Sequence, residues 1–247
     1  DEVDLYLPVR AADGRTIYRT LRAGDTRAWM EREVKDRAHV FRLPAKTQTR
    51  EPIFLRVATR SVLTVPLYLW QPRAFAAREI REQLGYGLFY GLVVALFLYN
   101  LMLFVSLRDR AYFWYVLYVG MFGLSLFTLD GFAFQYLWPE NVWWTNRALG
   151  ALLCATLAFG ALFTRNFLAI PGTSRLVDRL VIAVAVAGVL GTLVSVVGGP
   201  TYYSLVMRTL SVVATASGVA ILYVAAQQLA RGYRPARFFL LAWAALV

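Results

Sequence analysis

The chain has one cysteine, one histidine and two lysines in 247 residues, and each scarcity closes off a class of function. Cys154 stands alone inside an apolar run, which excludes both a disulfide framework and a thiolate metal cluster. His39 has no second histidine and no cysteine near it, so it is expected to be a surface residue rather than a ligand. Lys35 and Lys46 both precede the apolar part of the chain, so no visible helix carries the lysine that a retinal-type photoreceptor needs for its Schiff base. That reading survives only if a helix outside this stretch supplies one. No apolar segment pairs His with carboxylates and no Ser stands with a base, so neither catalysis nor a cofactor is expected of this chain.

Acid is also scarce where it would matter for transport. Residues 85–247 hold only 4 of the 15 Asp and Glu, and Asp130 and Asp178 fall at the ends of apolar runs. Secondary transporters place ionisable groups and broken helices near the midplane in corresponding positions of two repeats, and no repeat is visible here. A transporter of a small solute remains the main alternative reading. The net charge of +11 is spread among candidate strands and helix ends, without a clustered basic helix or a stacking platform, so nucleic acid is not an expected partner.

What the chain has in abundance is apolar length. It is 59% hydrophobic and 17% charged, far from the roughly 45–50% and 25% of soluble domains. Residues 83–107 carry no charge, and about 20 residues at about 1.5 Å each cross a bilayer core. Spans are predicted over 86–107, 112–130, 147–165, 180–197, 203–230 and 237–247. The last is too short to cross, so the sequence is expected to stop inside a sixth helix.

Residues 1–72 alternate as half-buried strands do, in "DLYLPV", "RTIYRTL", "AHVFRLP", "PIFLRVAT" and "VLTVPLYLW". This predicts a partial antiparallel β-sandwich, with Pro66 placing the last strand at an edge or bulge. Residues 73–85, with "AFAAREIREQ" at their centre, read as a juxtamembrane helix or linker into the helical domain at 86–247. "DEVDLYLPVR" is acidic and lacks an apolar core, so a β domain outside the membrane would require a leader upstream.

Loop charge sets the orientation. Arg108, Arg110, Arg165, Arg175, Arg179, Arg231, Arg234 and Arg237 fall in the first, third and fifth loops, against Arg147 at most in the other two. The positive-inside rule then puts the β domain outside and makes Arg108-Asp109-Arg110 a cytoplasmic turn. The second loop, "DGFAFQYLWPENVWW", has three Trp and no Lys or Arg, as expected of a segment lying at a membrane interface. "GGPTYYS" makes a short outer turn.

A few residues stand out within the spans. Asn100 must find a partner in an apolar span, either as a static clamp between the first two helices or as a bond that differs between two states. Gly87 and Gly91 form a small-xxx-small pair suited to close helix approach within the bundle or in a dimer, and Ala187 and Gly188 offer the same. Arg208 is the one charge well inside a span, placed to snorkel or to face a cavity holding an anionic group. Tyr112, Tyr115, Tyr118 and Phe122 recur at helical spacing as a packing stripe. Arg56, Tyr68 and Trp70 are weak candidates for sugar or acid recognition in the β domain.

The order Gly87, Tyr90-Gly91, Leu98-Tyr99-Asn100-Leu101, Ser106-Leu107-Arg108-Asp109, Tyr112, Tyr115, Tyr118, Gly131 and "QYLWP" at 135–139 resembles bacterial seven-transmembrane receptors with diverse intracellular signalling modules. The β segment resembles the end of that family's second type of extracellular domain, a jelly roll likened to carbohydrate-binding modules. The expected fold is therefore an α-helical polytopic membrane bundle, with six of seven helices present and the last truncated, preceded by a partial all-β jelly-roll or sandwich domain. The resemblance implies a receptor of the bacterial inner membrane that senses a small, carbohydrate-like periplasmic ligand. Its output would be a cytoplasmic module in cis, such as a diguanylate cyclase or histidine kinase, with a homodimer as the working assembly by analogy. Besides that ligand, the lipid bilayer is the expected partner.

Single cysteines at Ala12, Asp109, Asn141 and Arg234 in a Cys154→Ala background test the orientation. An impermeant thiol reagent is expected to label positions 12 and 141 but not 109 and 234 in intact cells, and the reverse pattern would overturn it.

Overall fold

The computed structural model describes residues 2–11, 13, 15–44, 51–59, 65–170, 174–198, 202–232, 236–237 and 240–241. It divides into two units, one of residues 1–68 with 127–147 and one of 69–126 with 148–247. The strands are β1 (Glu2–Arg10), β2 (Thr16–Gly24) and β3 (Phe54–Ala58), and a 3-10 turn covers Trp29–Glu31. The helices are α1 (Pro72–Leu107), α2 (Arg110–Leu129), the short α3 (Phe132–Tyr136), α4 (Val142–Phe167), α5 (Arg175–Gly198) and α6 (Tyr203–Ala230).

In the first unit the strands form one antiparallel sheet in the order β2-β1-β3. Leu5 opposes Leu21 on β2 and Leu55 on β3, and Leu5 and Leu7 are buried. Two predicted strands are corrected. "AHVFRLP" is irregular, and 65–70 of "VLTVPLYLW" belongs to no strand of the sheet, while 62–64 lie outside the described residues. Each reading rested on a short β-rich stretch, yet alternation alone supplies no hydrogen-bonding neighbour.

In the second unit α1 is continuous from Pro72, with its proline in the first turn where a missing N–H costs nothing. The linker and the first predicted span are thus one helix of 36 residues. Arg108 ends it in the left-handed region at φ 52°, and its N–H donates to the Phe104 carbonyl at 2.8 Å. The Asp109 carboxylate then accepts the Ala111 N–H at 2.7 Å, starting α2. The Arg-Asp-Arg cluster is therefore a C-cap followed directly by an N-terminal acceptor, a tight connection between two helices.

Five of the helices, α1, α2, α4, α5 and α6, are long and apolar enough to cross a membrane. Their exposed faces carry residues such as Leu88, Leu92, Met102 and Val197 that only lipid or another helix would cover. Of the predicted span 237–247, only 237, 240 and 241 lie within the described residues.

Helix α5 packs closely on α4. A Cβ at Gly188 would stand 2.7 Å from the Cys154 carbonyl oxygen and 2.8 Å from the Ala158 nitrogen. One at Gly191 would meet Cys154 Sγ at 2.8 Å. Thr192 Oγ1 crosses the seam to the Ala151 carbonyl at 3.2 Å. Helix α2 meets α4 through rings: Tyr115 lies 4.9 Å from Phe163, and Tyr118 stacks at 6.4 Å on the same ring. Of the four aromatic residues singled out, Tyr115, Tyr118 and Phe122 have ring contacts of this packing kind. At the far end, Arg165 grips Asp178 with both arms of its guanidinium, at 2.6 and 3.1 Å, closing the α4–α5 connection. Nearby Leu168, Ile170, Val181, Val224 and Ala225 form a buried cluster.

Overpacking against a neighbouring backbone costs about 1–3 kcal/mol. Gly188→Ala is expected to lower the thermal unfolding midpoint in detergent, whereas Gly91→Ala, with nothing within 4 Å of its Cβ position, is expected to leave it unchanged.

Candidate functional site

The first unit is held together around Asp25, the residue that follows β2. Gly24, at φ 138°, turns the chain out of the strand in a conformation that a side chain would strain. The chain then passes through the 3-10 turn, which presents Trp29 on its inner side, 4% exposed. Trp29 meets the Phe134 ring edge to face at 5.8 Å and 88°. Its backbone N–H donates to the Pro139 carbonyl at 2.9 Å.

Arg32 lies across this aromatic pair. Its guanidinium carbon is 4.5 Å from the centre of the Trp29 ring and 5.5 Å from that of Phe134. One terminal nitrogen donates to the carbonyls of Asp36 at 2.8 Å and Arg37 at 3.3 Å, and the other faces the Asp25 carboxylate at 3.7 Å. With 7% of the side chain exposed, such cation–π contacts are worth about 2 kcal/mol. Burial draws the Arg32 pKa below the ordinary guanidinium value, against the opposing pull of Asp25 and Asp36.

Asp25 faces two further groups. Its carboxylate lies 3.9 Å from His39 Nε2, and its backbone carbonyl accepts a hydrogen bond from Asn146 Nδ2 at 3.2 Å. The same Asn146 nitrogen also donates to Val142 within α4. A second cation, Arg37, lies 5.8 Å from the centre of the Phe132 ring. Gly131, at φ 83°, starts α3 with Arg37 Cβ 3.4 Å from where its own Cβ would be. The connection between α2 and α4 is thus packed on the segment after β2 by the buried Arg32, the Trp29–Phe134 ring pair, Arg37 over Phe132 and two backbone-carbonyl acceptors.

This corrects one expectation. His39 is not a fully solvated surface residue: its side chain is 27% exposed, and Nδ1 is buried without a partner among the described residues. In the aromatic second loop Ala133 and Phe134 are buried, while Tyr136, Leu137 and Trp143 are exposed. Asp25, Trp29, Arg32 and Asn146 were not singled out from the sequence. The available signal was "AWMEREVKDRAHV", where one Trp and the only His bracket a dense charge run.

The other candidates are dispersed. Arg56 pairs with Asp4 at 3.2 Å, directly opposite it across β1 and β3, and is a cross-strand ion pair. Tyr68, in the first unit, is 74% exposed, and Trp70, in the second, has the Arg78 guanidinium 5.3 Å from its ring centre. Asn100 is buried, but its amide donates to the Leu96 carbonyl of its own helix at 2.8 Å rather than to a second helix. Gly85, Gly87 and Gly91 have nothing within 4 Å of their Cβ positions, while close helix approach occurs at Gly188, as expected there, and at Gly191. Arg208 is exposed, with no ion-pair partner among the described residues. These residues have no common site, and the described residues contain no group of three His, Cys, Asp or Glu able to hold a metal.

An antiparallel sheet followed by a bundle of membrane-length helices defines a multi-pass membrane protein with a β domain outside the bilayer. Residues 82–247 match the family model for the 7TM domain with diverse intracellular signalling, and residues 1–71 match that family's extracellular domain 2. The chain belongs to the 7TM receptor family with diverse intracellular signalling. No curated protein and no solved structure matches it.

Burial and the Arg32 charge hold the His39 pKa below its ordinary value, against Asp25. The unfolded chain, with a histidine pKa of about 6.5, therefore binds the proton more readily than the folded one. The neutral imidazole contributes its full stability above about pH 6.5, and that contribution is lost as pH falls through the folded value. As pH falls below about 6.5 the unfolding midpoint is expected to drop, and His39→Gln to flatten the drop. An equal drop in both proteins would place the effect elsewhere.

Proposed function

We propose that the chain is the sensing and transmitting part of a receptor in the bacterial inner membrane. The β domain lies in the periplasm and binds a small ligand, and a cytoplasmic module in cis, a diguanylate cyclase or histidine kinase, carries the output. The observation that supports this reading beyond family membership is the packing of the α2–α4 connection against the segment after β2, through Arg32, Trp29 and Phe134. Any ligand that favours one arrangement of Asp25 and Arg32 shifts the ends of two membrane helices by population shift, without a separate relay. A dimer would let two output modules meet.

The transport reading has less to draw on. Helices α1, α2, α4, α5 and α6 are each unbroken, and the Arg165–Asp178 pair closes a helix connection at an end of α4.

The test uses the full-length protein in cells, with output measured as cyclic dinucleotide or phosphotransfer while the periplasmic medium is varied. Arg32→Ala is expected to insert in the membrane normally but to lower the response at least about fivefold, the lower end of common coupling energies. A full response in that variant would overturn the route. Solute accumulation by proteoliposomes carrying the chain would return the transporter to first place.

A further inference from the structure

The first unit contains a cavity of about 510 Å³ between residues 19–23 of β2 and the segment 31–41. Its size is that of a small-molecule site, but such sites are mostly apolar with a few polar groups. This one is lined by four arginines, Arg19, Arg22, Arg27 and Arg32, with His39 at the same wall. Glu31 and Glu33 are the acids among its lining residues. Arg27 holds Glu31 at 3.6 Å, and Arg32 faces Asp25 at 3.7 Å. Arg19 and Arg22 are exposed and have no ion pair among the described residues; Asp4, which holds Arg56, stands across from Arg22 in the register, and Glu33 is the other acid at the lining.

Arg32 and His39 both belong to the lining, and Arg32 Nε and His39 Nδ1 are buried and unpartnered among the described residues. Both atoms are closed off from the cavity as it stands, so what an anion meets there is the charge of the guanidinium rather than a hydrogen bond from Nε. A neutral sugar fits less well, because sugar sites depend on an open aromatic face. The lining offers Phe41 and an imidazole, while Trp29 is buried edge-on against Phe134.

We infer that this cavity, with Arg19, Arg22, Arg32 and His39 in its lining, binds a small multiply charged anion, one bearing two or more carboxylate or phosphoryl groups. The inference rests on the receptor reading above and adds the chemistry of what is sensed. It also supplies the trigger. An anion drawn to Arg32 and His39 competes with the Asp25 carboxylate for both, and the Asp25 carbonyl is the acceptor that Asn146 uses.

The test is calorimetric titration of the purified 247-residue chain in lipid nanodiscs with citrate, inorganic phosphate and glucose. Citrate or phosphate is expected to bind with an affinity that weakens as salt is raised, and the stronger of the two identifies carboxylate or phosphoryl as the natural group. The exposed double variant R19Q/R22Q is expected to lose at least about tenfold in affinity, and E33Q to gain a few-fold, an increase that misfolding would not produce. The inference is overturned if neither anion binds, if R19Q/R22Q titrates like the parent chain, or if glucose binds and the anions do not. Anion binding with no change in the output of the full-length protein would sink the receptor reading and leave the cavity's assignment standing. An output driven by a neutral sugar, with no anion binding, would do the opposite.

Discussion

Removing a guanidinium from water is expensive, and Arg32 is stripped of nearly all of its hydration. The protein offsets that cost from several directions at once: two carbonyls, one carboxylate and the faces of two rings. None of these groups is a strong partner alone, and the carboxylate is beyond hydrogen-bonding distance. Together they need Trp29, Phe134, Asp25 and the turn at Asp36 to be in place simultaneously, so the position of the α2–α4 connection follows from keeping one cation buried. The arrangement favours a unique geometry more than it favours stability, and a small change at Asp25 is felt by every group in the set.

How far the sequence could be read depended on whether a residue's environment is dictated by its neighbours in the chain. The membrane helices were legible because lipid imposes a length and an apolarity on each one separately. The Arg108-Asp109-Arg110 turn was legible for the same reason, since both its caps are local. Strands depend on partners, and "AHVFRLP" shows the failure: its alternation is as good as that of "PIFLRVAT", but only the latter finds β1 beside it.

The site was less legible still, because it is assembled from residues more than a hundred positions apart. Arg32 sits in a run of alternating charges that reads as a solvated loop, and nothing near it in sequence reports that Phe134 will cover it. Arg56 misled in the other direction. It stands on a strand beside apolar residues as a ligand-binding arginine would, yet Asp4 is directly across from it in the register. An unpaired cation such as Arg19 or Arg22 becomes informative only once the positions of the acids are known.

The polar side chains of the helices show a common habit. Asn100, Ser125, Thr156, Thr164, Asn166, Ser195 and Ser211 all donate to the carbonyl four residues back in their own helices. Bonds that cross between elements join the Ser125 and Thr156 hydroxyls of α2 and α4, Thr192 to the Ala151 carbonyl, and Gln228 to Leu168 just past α4. A side chain satisfied within its own helix travels with that helix when the neighbour slides. Ser125 and Thr156 each keep such a bond in reserve, so a small shift that parts their hydroxyls leaves neither one empty in a medium offering no replacement.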